Sequence, residues 1–469
     1  MTIKRALKLQ ENLVALCRRR GFIFPGSDLY GGLANTFDYG PLGTLMKNNI
    51  QSCWSREFIQ KRLNCFAFDS SILLHPDVWK ASGHVDCFTD PMSVCLECNA
   101  RIRVDQLLSQ KLGREWNTPL DVTEYDTALK THNIACPGCA KTHCFQRTKH
   151  FNLLFRTNMG ATDETSEWIN LRPETAQGAY INFSNVQCAM RAKLPFGIGQ
   201  IGKSFRNEIS PGQFLFRTRE FEQMELQFFT FPSDSDEWMQ YWIKECMHFL
   251  TTHGISQDNV RLRVHEQKEL AHYARATTDI EFHYPFGWKE LWGIANRTDS
   301  DLIKHMRASG KNLHYFDPIT HKEVLPHIVE PALGLGRLML AMLVDAYQEE
   351  IVLGRKRTVL RLHEDIAPYR LAVLPLVNKD ALINFSEDLF KTLATKLCVD
   401  YDTSGSIGRR YRRQDEIGTP LCITIDFETL DDNRVTVRDR DSMEQKRISI
   451  DKLLAAAGVT QLPLSFKAF

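Results

Sequence analysis

Three arginines, two carboxylates and two aromatic rings crowd one short stretch of this 469-residue chain. Arg206-Asn207-Glu208 is followed, across a loop opening on Pro211-Gly212, by Phe216-Arg217-Thr218-Arg219-Glu220-Phe221. Guanidinium groups make paired, charge-assisted hydrogen bonds to phosphate oxygens, and an aromatic face packs on a planar base. The stretch therefore has the parts of a nucleotide-phosphate site. A second cluster is built of thiols. Cys95-x-x-Cys98 and Cys136-x-x-Cys139 form two knuckles spaced for tetrahedral Zn²⁺ ligation, with His143 and Cys144 as substitute ligands. The polar stretch between the pairs has too thin a core to fold without a metal. A literal Gly-x-Gly-x-x-Gly, Gly197 to Gly202, suggests a dinucleotide fingerprint, but that motif needs a helix starting at its glycines. Here Ile201 to Arg206 continues as a β-like run, so the glycines are read as allowing close backbone packing.

These groups must be held by more than one core, since 469 residues suggest two to three domains. With 43% apolar and 25% charged residues, the composition is that of an ordinary globular protein. A net charge of +1 does not advertise a nucleic-acid partner, so any RNA contact must use local basic patches. Thirteen cysteines without a secretory signal point to free or metal-bound thiols. No apolar run is long enough to cross a bilayer, and a cytoplasmic home with no membrane partner is expected. Apolar spacing predicts helices over Leu7–Arg19 and Leu45–Gln60, and a strand over 71–74 that reaches Pro76. Polar helical segments fill the cysteine-rich part, and β-rich runs from Phe151 end in an apolar helix over Leu338–Val344. Beyond a charged linker, strands at 371–374 and 421–426 flank a helix over Ala381–Lys396, which suggests a separate α/β domain.

Longer matches carry a resemblance. Gly83-His84-Val85-Asp86, the run Leu171-Arg172-Pro173-Glu174-Thr175-Ala176-Gln177-Gly178, Gly293-Ile294-Ala295-Asn296-Arg297-Thr298-Asp299 and the run from Gly405 to Glu416, with the arginine hairpin, resemble glycyl-tRNA synthetases of the homodimeric type. The likeness runs from near residue 5 to near residue 455. It implies an α+β fold, with the antiparallel sheet of class II aminoacyl-tRNA synthetases flanked by helices. Residues 1–355 would form the catalytic domain, with a cysteine-rich zinc insertion at 91–150. A linker would cover 356–366 and an α/β anticodon-binding domain 367–469. The implied activity is ATP-dependent attachment of glycine to tRNA(Gly) through a glycyl-adenylate, by a homodimer using Mg²⁺. Two other readings stay open: a synthetase-like RNA-binding regulator, and an enzyme that passes activated glycine to an acceptor other than tRNA.

The resemblance also implies roles. Arg206 would bind the α-phosphate, Asn207 and Glu208 would fix that arginine and the adenine amino group, and Arg217 would hold the bent triphosphate tail. Phe216, Thr218, Arg219, Glu220 and Phe221 would complete the ATP hairpin. In the third class motif, Gly334-Leu335-Gly336-Arg337, the glycines admit the nucleotide and Arg337 covers it, while Glu290, beside Leu291, would face the nucleotide and Mg²⁺. Arg206, Glu208, Arg217 and Arg337 are thus the expected catalytic groups. Glycine has no side chain to hold, so Glu174, Glu225 and Glu330 would surround its ammonium and Arg103 would stand on the substrate side. Phe221-Glu222-Gln223-Met224 and Pro331-Ala332-Leu333-Gly334 would line the substrate pocket. Two departures are expected to alter that pocket: Ala332 where the family commonly has serine, and Trp292 where related sequences often have glutamate. In the last domain Arg409, Arg410, Arg412 and Arg413, with Tyr411, are the expected tRNA contacts.

Overall fold

A computed structural model describes residues 3–113, 116, 121–160, 167–209, 212–266, 270, 274–458 and 466. Pro211 of the hairpin loop lies outside the described residues. Helix α1 (Ile3–Arg20) turns Leu13, Leu16 and Cys17 to the core and ends in three arginines, cations at the negative end of the helix dipole. Helix α2 (Pro41–Ser55) begins on proline, which suits a first turn, and runs on into a π-helical turn over Arg56–Gln60. Strand β1 (Cys65–Ala67) follows. The strand expected over 71–74 is only an isolated bridge from Leu73 to Leu171. Pro76 instead opens helix α3 (Pro76–Ser82), because its missing N–H cannot serve a ladder but costs nothing in a first turn.

The cysteine-rich insertion has strands β2 (Thr89–Val94), β3 (Arg101–Arg103) and β4 (Lys149–Asn152) in the order β3-β2-β4. Helices α4 (Val104–Leu112) and α5 (Val122–Thr131) give it a small core around Val104, Leu108, Tyr125 and Leu129.

Helix α6 (Ala176–Ile181) precedes the main sheet, made of β1, β5 (Phe196–Phe205), β6 (Glu220–Thr230), β7 (Val260–Val264), β8 (Ala276–Tyr284), β9 (Gly287–Thr298) and β10 (His327–Gly334). Its order is β7-β8-β9-β10-β6-β5-β1, antiparallel throughout except that β1 runs parallel to β5. One face carries the large core, where α2, α7 (Ser235–Thr252) and the almost wholly apolar α9 (Leu335–Ala346) pack on Met224, Ile280 and Ile294. On the other face, α6 and α8 (Ser300–Ser309) cover part of the sheet, and a cavity occupies its middle. Gly199 and Gly202 lie within β5. A Cβ on Gly199 would sit 2.7 Å from Ile59 Cδ1, and one on Gly202 would strike the Arg172 guanidinium. These glycines let neighbours press on the strand, and no helix starts at them.

The charged stretch read as a linker begins as a strand. β11 (Tyr347–Val352) and β12 (Arg355–Leu360) form a hairpin ahead of the last domain. That domain comprises β13 (Leu371–Pro375), α10 (Asp380–Ala394), β14 (Val399–Tyr401), α11 (Ile407–Ile417), β15 (Leu421–Ile425), α12 (Phe427–Asp432), β16 (Arg434–Asp439), β17 (Gln445–Ser449) and α13 (Ile450–Gly458). Its strands run β14-β13-β15-β16-β17, with β13 parallel to both neighbours.

The arginine-rich helix α11 corrects the sequence reading. Arg410 is buried, and its guanidinium donates to the carbonyls of Pro375, Thr403 and Gly405 and to Asn378. Arg413 pairs with Asp402 at 2.6 Å, Arg412 with Asp415 at 3.0 Å, and the Tyr411 ring lies under Arg438. Of the four arginines, Arg409 is the one with an exposed side chain and no ion pair among the described residues, because the other cations are spent on contacts within the domain.

Asp415 is the centre of this packing. Its buried carboxylate accepts from Arg357 of β12 at 2.8 Å and from Arg438 of β16 at 2.9 Å. Burial opposes its ionisation, but the two guanidiniums win and hold the carboxyl below its ordinary range. Asp415→Asn would leave Arg438 buried without a counter-charge and Arg357 with Glu350 alone, so we expect a loss of about 3–5 kcal/mol in urea denaturation. A depressed carboxyl stabilises the fold above its unfolded-state pKa and loses that contribution as pH falls through the folded value. The wild type should therefore approach the variant's stability on acidification; equal stability of the two at neutral pH would remove Asp415 from this role.

Candidate active site

Strand pairing decides which groups can meet. Along β6, Phe221, Gln223 and Glu225 face the cavity, and along β10 Glu330, Ala332 and Gly334 face it from the neighbouring strand. From β9 come Glu290, Gly293, Ala295 and Arg297. Together with Glu174, Arg206, Glu208, Phe216, Arg217, Thr218, Leu333, Gly336 and Arg337 they enclose about 380 Å³.

One end of the cavity is cationic. The Arg206 guanidinium lies 5.2 Å from the Phe221 ring centre and 5.3 Å from that of Phe88, and its Nε donates to the Pro173 carbonyl. Arg217 faces Glu208 at 3.5 Å. Arg337 lies over the Phe216 ring at 4.5 Å and pairs with Glu290 at 3.0 Å. That guanidinium is the main cause holding the Glu290 carboxyl below its usual range. Asp279 of β8 stands beside Glu290, and both carboxylates lie 3.7 Å from the Cβ position of Gly293. Burial, then the charge of Glu290, pushes Asp279 up, against a 2.7 Å contact with His265.

The other end is acidic. Arg172 is buried and donates to the carbonyls of Lys203 and Ser70, which pins the Pro173-Glu174 turn against β5. Glu174 accepts from Gln177 at 2.9 Å and faces His84 at 3.4 Å. Its burial disfavours charge, but His84, Arg297 and Gln177 overcome this and keep it ionised. Arg297 binds Glu330 at 2.8 Å and Asp301 at 2.9 Å. Glu225 accepts from Thr175 and Gln223, each at 2.6 Å. Burial raises the carboxyls of both Glu225 and Glu330; the charges of Glu330 and Glu174 add to it at Glu225, and at Glu330 it outweighs the opposing Arg297, with Glu174 adding to it.

Several residues expected in the site lie elsewhere. Glu222 and Met224 point to the opposite face of β6, where Glu222 pairs with Lys47 at 2.8 Å and accepts from Gln51. Leu291, Leu335 and Trp292 are buried in the core, and Pro331 is not in the cavity wall. A contiguous run is expected to line the pocket, whereas a pleated strand turns mainly alternate residues to one face. Glu220 pairs with Lys203 at the surface, and Arg219 donates to the Ala34 carbonyl. Asn207 is not in the wall either; its N–H is held by Leu153. Arg103 belongs to the insertion, bound by Asp90 at 2.8 Å and by Asp105. Its charge reaches Glu208 and Arg217, but the side chain stays outside the cavity wall.

The structure adds Arg297, Asp279, His265, Thr277 and His84. Arg297 and His84 lie inside motifs already singled out, without a role. Asp279 carried its own signal, an aspartate within a β-rich run, where that residue is disfavoured.

In the insertion, the sulfurs of Cys95, Cys136, Cys139 and Cys144 lie within 4.8 Å of one another. Cys98, expected in the set, has its sulfur 3.6 Å from that of Cys136, and Cys144 takes its place in the mutually close group. Separations of 3.4 Å for Cys95–Cys144 and 3.7 Å for Cys95–Cys139 are far too long for disulfides. They approach the ~3.8 Å edge of a tetrahedron built on 2.3 Å zinc–sulfur bonds, so the thiols fit zinc.

An antiparallel sheet holding arginines at one end of its cavity and carboxylates at the other, with a separate α/β domain, defines a class II tRNA synthetase. Residues 155–346 match the tRNA synthetase class II core domain (G, H, P, S and T), and residues 370–458 match the anticodon binding domain. A solved structure of Giardia lamblia prolyl-tRNA synthetase with prolyl-adenylate shares the fold, with a TM-score of 0.64 over 96% of this chain and 75% of that one, at 15% identity. The glycine–tRNA ligase of Caldanaerobacter subterraneus is 52% identical over 94% of this chain and 96% of its own. That of Geobacillus kaustophilus is 52% identical over 95% and 97%. The chain belongs to the glycine–tRNA ligase family.

Trp292 and Ala332 do not share a pocket. Ala332 lines the cavity, whereas Trp292 packs beneath the sheet, 5.3 Å from Phe58 and 5.7 Å from Phe249. Trp292→Glu should therefore lower stability by at least about 3–5 kcal/mol, the usual loss for a large core aromatic, with carboxylate burial added. Ala332→Ser should stay within about 1 kcal/mol of wild type in the same denaturation. A stable Trp292→Glu protein with better glycine use would restore the shared pocket.

Proposed function

We propose that the chain joins glycine to the 3′ end of tRNA(Gly) through glycyl-adenylate. The observation that carries this is the meeting of Arg206, Arg217 and Arg337 with Glu174, Glu225 and Glu330 in one cavity, in a chain whose relatives are glycine–tRNA ligases. The glycine carboxylate attacks the α-phosphorus of ATP in line and pyrophosphate leaves; the terminal ribose hydroxyl of tRNA then attacks the activated carbonyl and AMP departs. Arg206, braced between two rings, neutralises charge at the α-phosphate, Arg217 and Arg337 hold the outer phosphates, and Glu208 and Glu290 orient those two guanidiniums. Asp279 and Glu290 are the oxygen donors fitted to Mg²⁺, which would neutralise phosphate charge when bound. The carboxylates at the far end take the ammonium, and the floor of Gly293, Ala295 and Ala332 leaves room for a substrate without a side chain.

The finer parts of this reading are zinc held by Cys95, Cys136, Cys139 and Cys144, a homodimer and a cytoplasmic setting. The loop between α1 and α2 exposes Leu29 and Tyr30, each at 88%, which a partner subunit would cover. Among the described residues no helix is long and apolar enough to cross a membrane.

Glycine-dependent exchange of pyrophosphate into ATP, followed by charging of tRNA, tests the whole reading. We expect both activities; no exchange would favour a regulator, and exchange without charging another acceptor. Arg206→Ala should slow exchange by 100-fold or more, about 3 kcal/mol of transition-state stabilisation, while the fold stays intact. Near-normal exchange would dismiss Arg206.

Metal analysis should find about one zinc per chain, as one tetrahedral thiolate site requires. Cys144→Ser should lose it and Cys98→Ser should keep it. The reverse pattern would return the set to the two sequence knuckles.

A further inference from the structure

The acidic end of the cavity does not balance its charge. Four carboxyls meet there: Glu174 ahead of α6, Glu225 on β6, Glu330 on β10 and Asp301 on α8. The facing groups with cationic capacity are Arg297 of β9, His84 from the turn after α3, and Arg172, whose charge reaches Glu225 although its guanidinium is bonded to the Lys203 and Ser70 carbonyls. Arg297 is divided between Glu330 and Asp301, and His84 faces Glu174. The remaining titratable neighbours are Tyr180, whose hydroxyl lies between Gln227 and Glu330, and His305, which is bonded to Gln177. Glu225 is the carboxyl with no ion pair among the described residues, although it lines the cavity and is buried.

Resting on the reading of this cavity as a glycine site, we infer that glycine binds with release of one proton, which leaves the Glu225 carboxyl for water as the ammonium takes its place. The balance is simple. A neutral acid and an ammonium go in, a carboxylate–ammonium pair and a free proton come out, and nothing is oxidised or reduced. Two features of the wall suit this exchange. Thr175, 2.6 Å from Glu225, has a hydroxyl that can accept from the acid or donate to the carboxylate, so the contact survives in either state. Gln223 Nε2, also at 2.6 Å, serves the second oxygen in both states. Burial, followed by the charges of Glu330 and Glu174, raises the carboxyl in the empty site, and an arriving cation reverses the effect of those charges.

The direction with pH follows from the raised value. Below it Glu225 is protonated in the free protein, each bound glycine expels a proton, and apparent affinity rises by up to about tenfold per pH unit. Above it the carboxyl is already ionised and the release disappears. Glycolate, with a hydroxyl in place of the ammonium, gives no cation and should release nothing.

Calorimetric titration of glycine into the full chain, with a non-reactive ATP analogue and buffers of different ionisation enthalpy, counts the protons. The expected result is close to one proton per glycine near neutral pH, falling towards zero as pH rises, and no release from Glu225→Gln, whose binding should be weaker. Heats independent of buffer in the wild type would overturn the inference, as would undiminished release from Glu225→Gln. Should that variant fail to fold, the wild-type buffer dependence still decides. Failure of the wild type to bind glycine at all would strike instead at the functional reading on which the inference rests.

Discussion

The antiparallel pairing of β6 with β5 on one side and β10 on the other is the constraint on which the rest depends. Gln223 lies opposite Gly202 and Gly334, and Glu225 opposite Gln200 and Ala332. A slip of one residue would exchange Glu225 for Met224, putting a carboxylate into the core and a thioether into the cavity. The register is held from below by Met224, Leu226 and Phe228 in the large core. It is held from above by Arg172, whose buried guanidinium ties the Glu174 turn to β5. Apolar packing thus sets the position of charged groups that could not position themselves.

Charge burial then organises the cavity. A guanidinium or carboxylate removed from water is tolerated only when paired and hydrogen-bonded. The phosphate end meets that demand with pairs that leave cationic surface exposed to the cavity, Arg217 with Glu208 and Arg337 with Glu290. The acidic end meets it only in part, which gives an ammonium a place that no internal cation fills. Such a wall distinguishes a zwitterion from a neutral or acidic ligand before any steric test of the side chain applies.

Much of this was legible from residue type and spacing. The arginine hairpin, the Glu330 to Arg337 run, the cysteine knuckles, the buried last helix and the α/β domain all have signals that are local in sequence. The failures have a common cause. Glu222, Met224, Leu291 and Pro331 belong to contiguous motifs in the sequence, but facing is set by pleat, and beside Leu291 the register irregularity between Ile280 and Glu281 shifts it further. Trp292 is misread alone, since only the fold reveals the aromatic cluster waiting for it. Arg297 and His84 went without roles because their meaning lies in partners far along the chain, Glu330 and Glu174. Cys144 joins the thiol group through a turn that sequence spacing does not encode.

The arginines of α11 show why a basic run is weak evidence for an RNA surface. Helical periodicity sends Arg410 inward onto the ends of the β13 and β14 loops, while Arg412 serves Asp415 and Arg413 serves Asp402. Glu416, the residue after Asp415, reaches Arg20 and Arg19 of α1 at 2.6 and 3.1 Å. The helix therefore faces the rest of the chain with its charges, joining the last domain to α1 and to the β11–β12 hairpin. Asp415 and Arg357 supply the buried part of that joint, while the Arg19 pair lies at the surface, where salt screens it. A domain joined this way meets the core through packing and buried pairs, and of the α11 arginines it is Arg409 that keeps an exposed side chain for a partner.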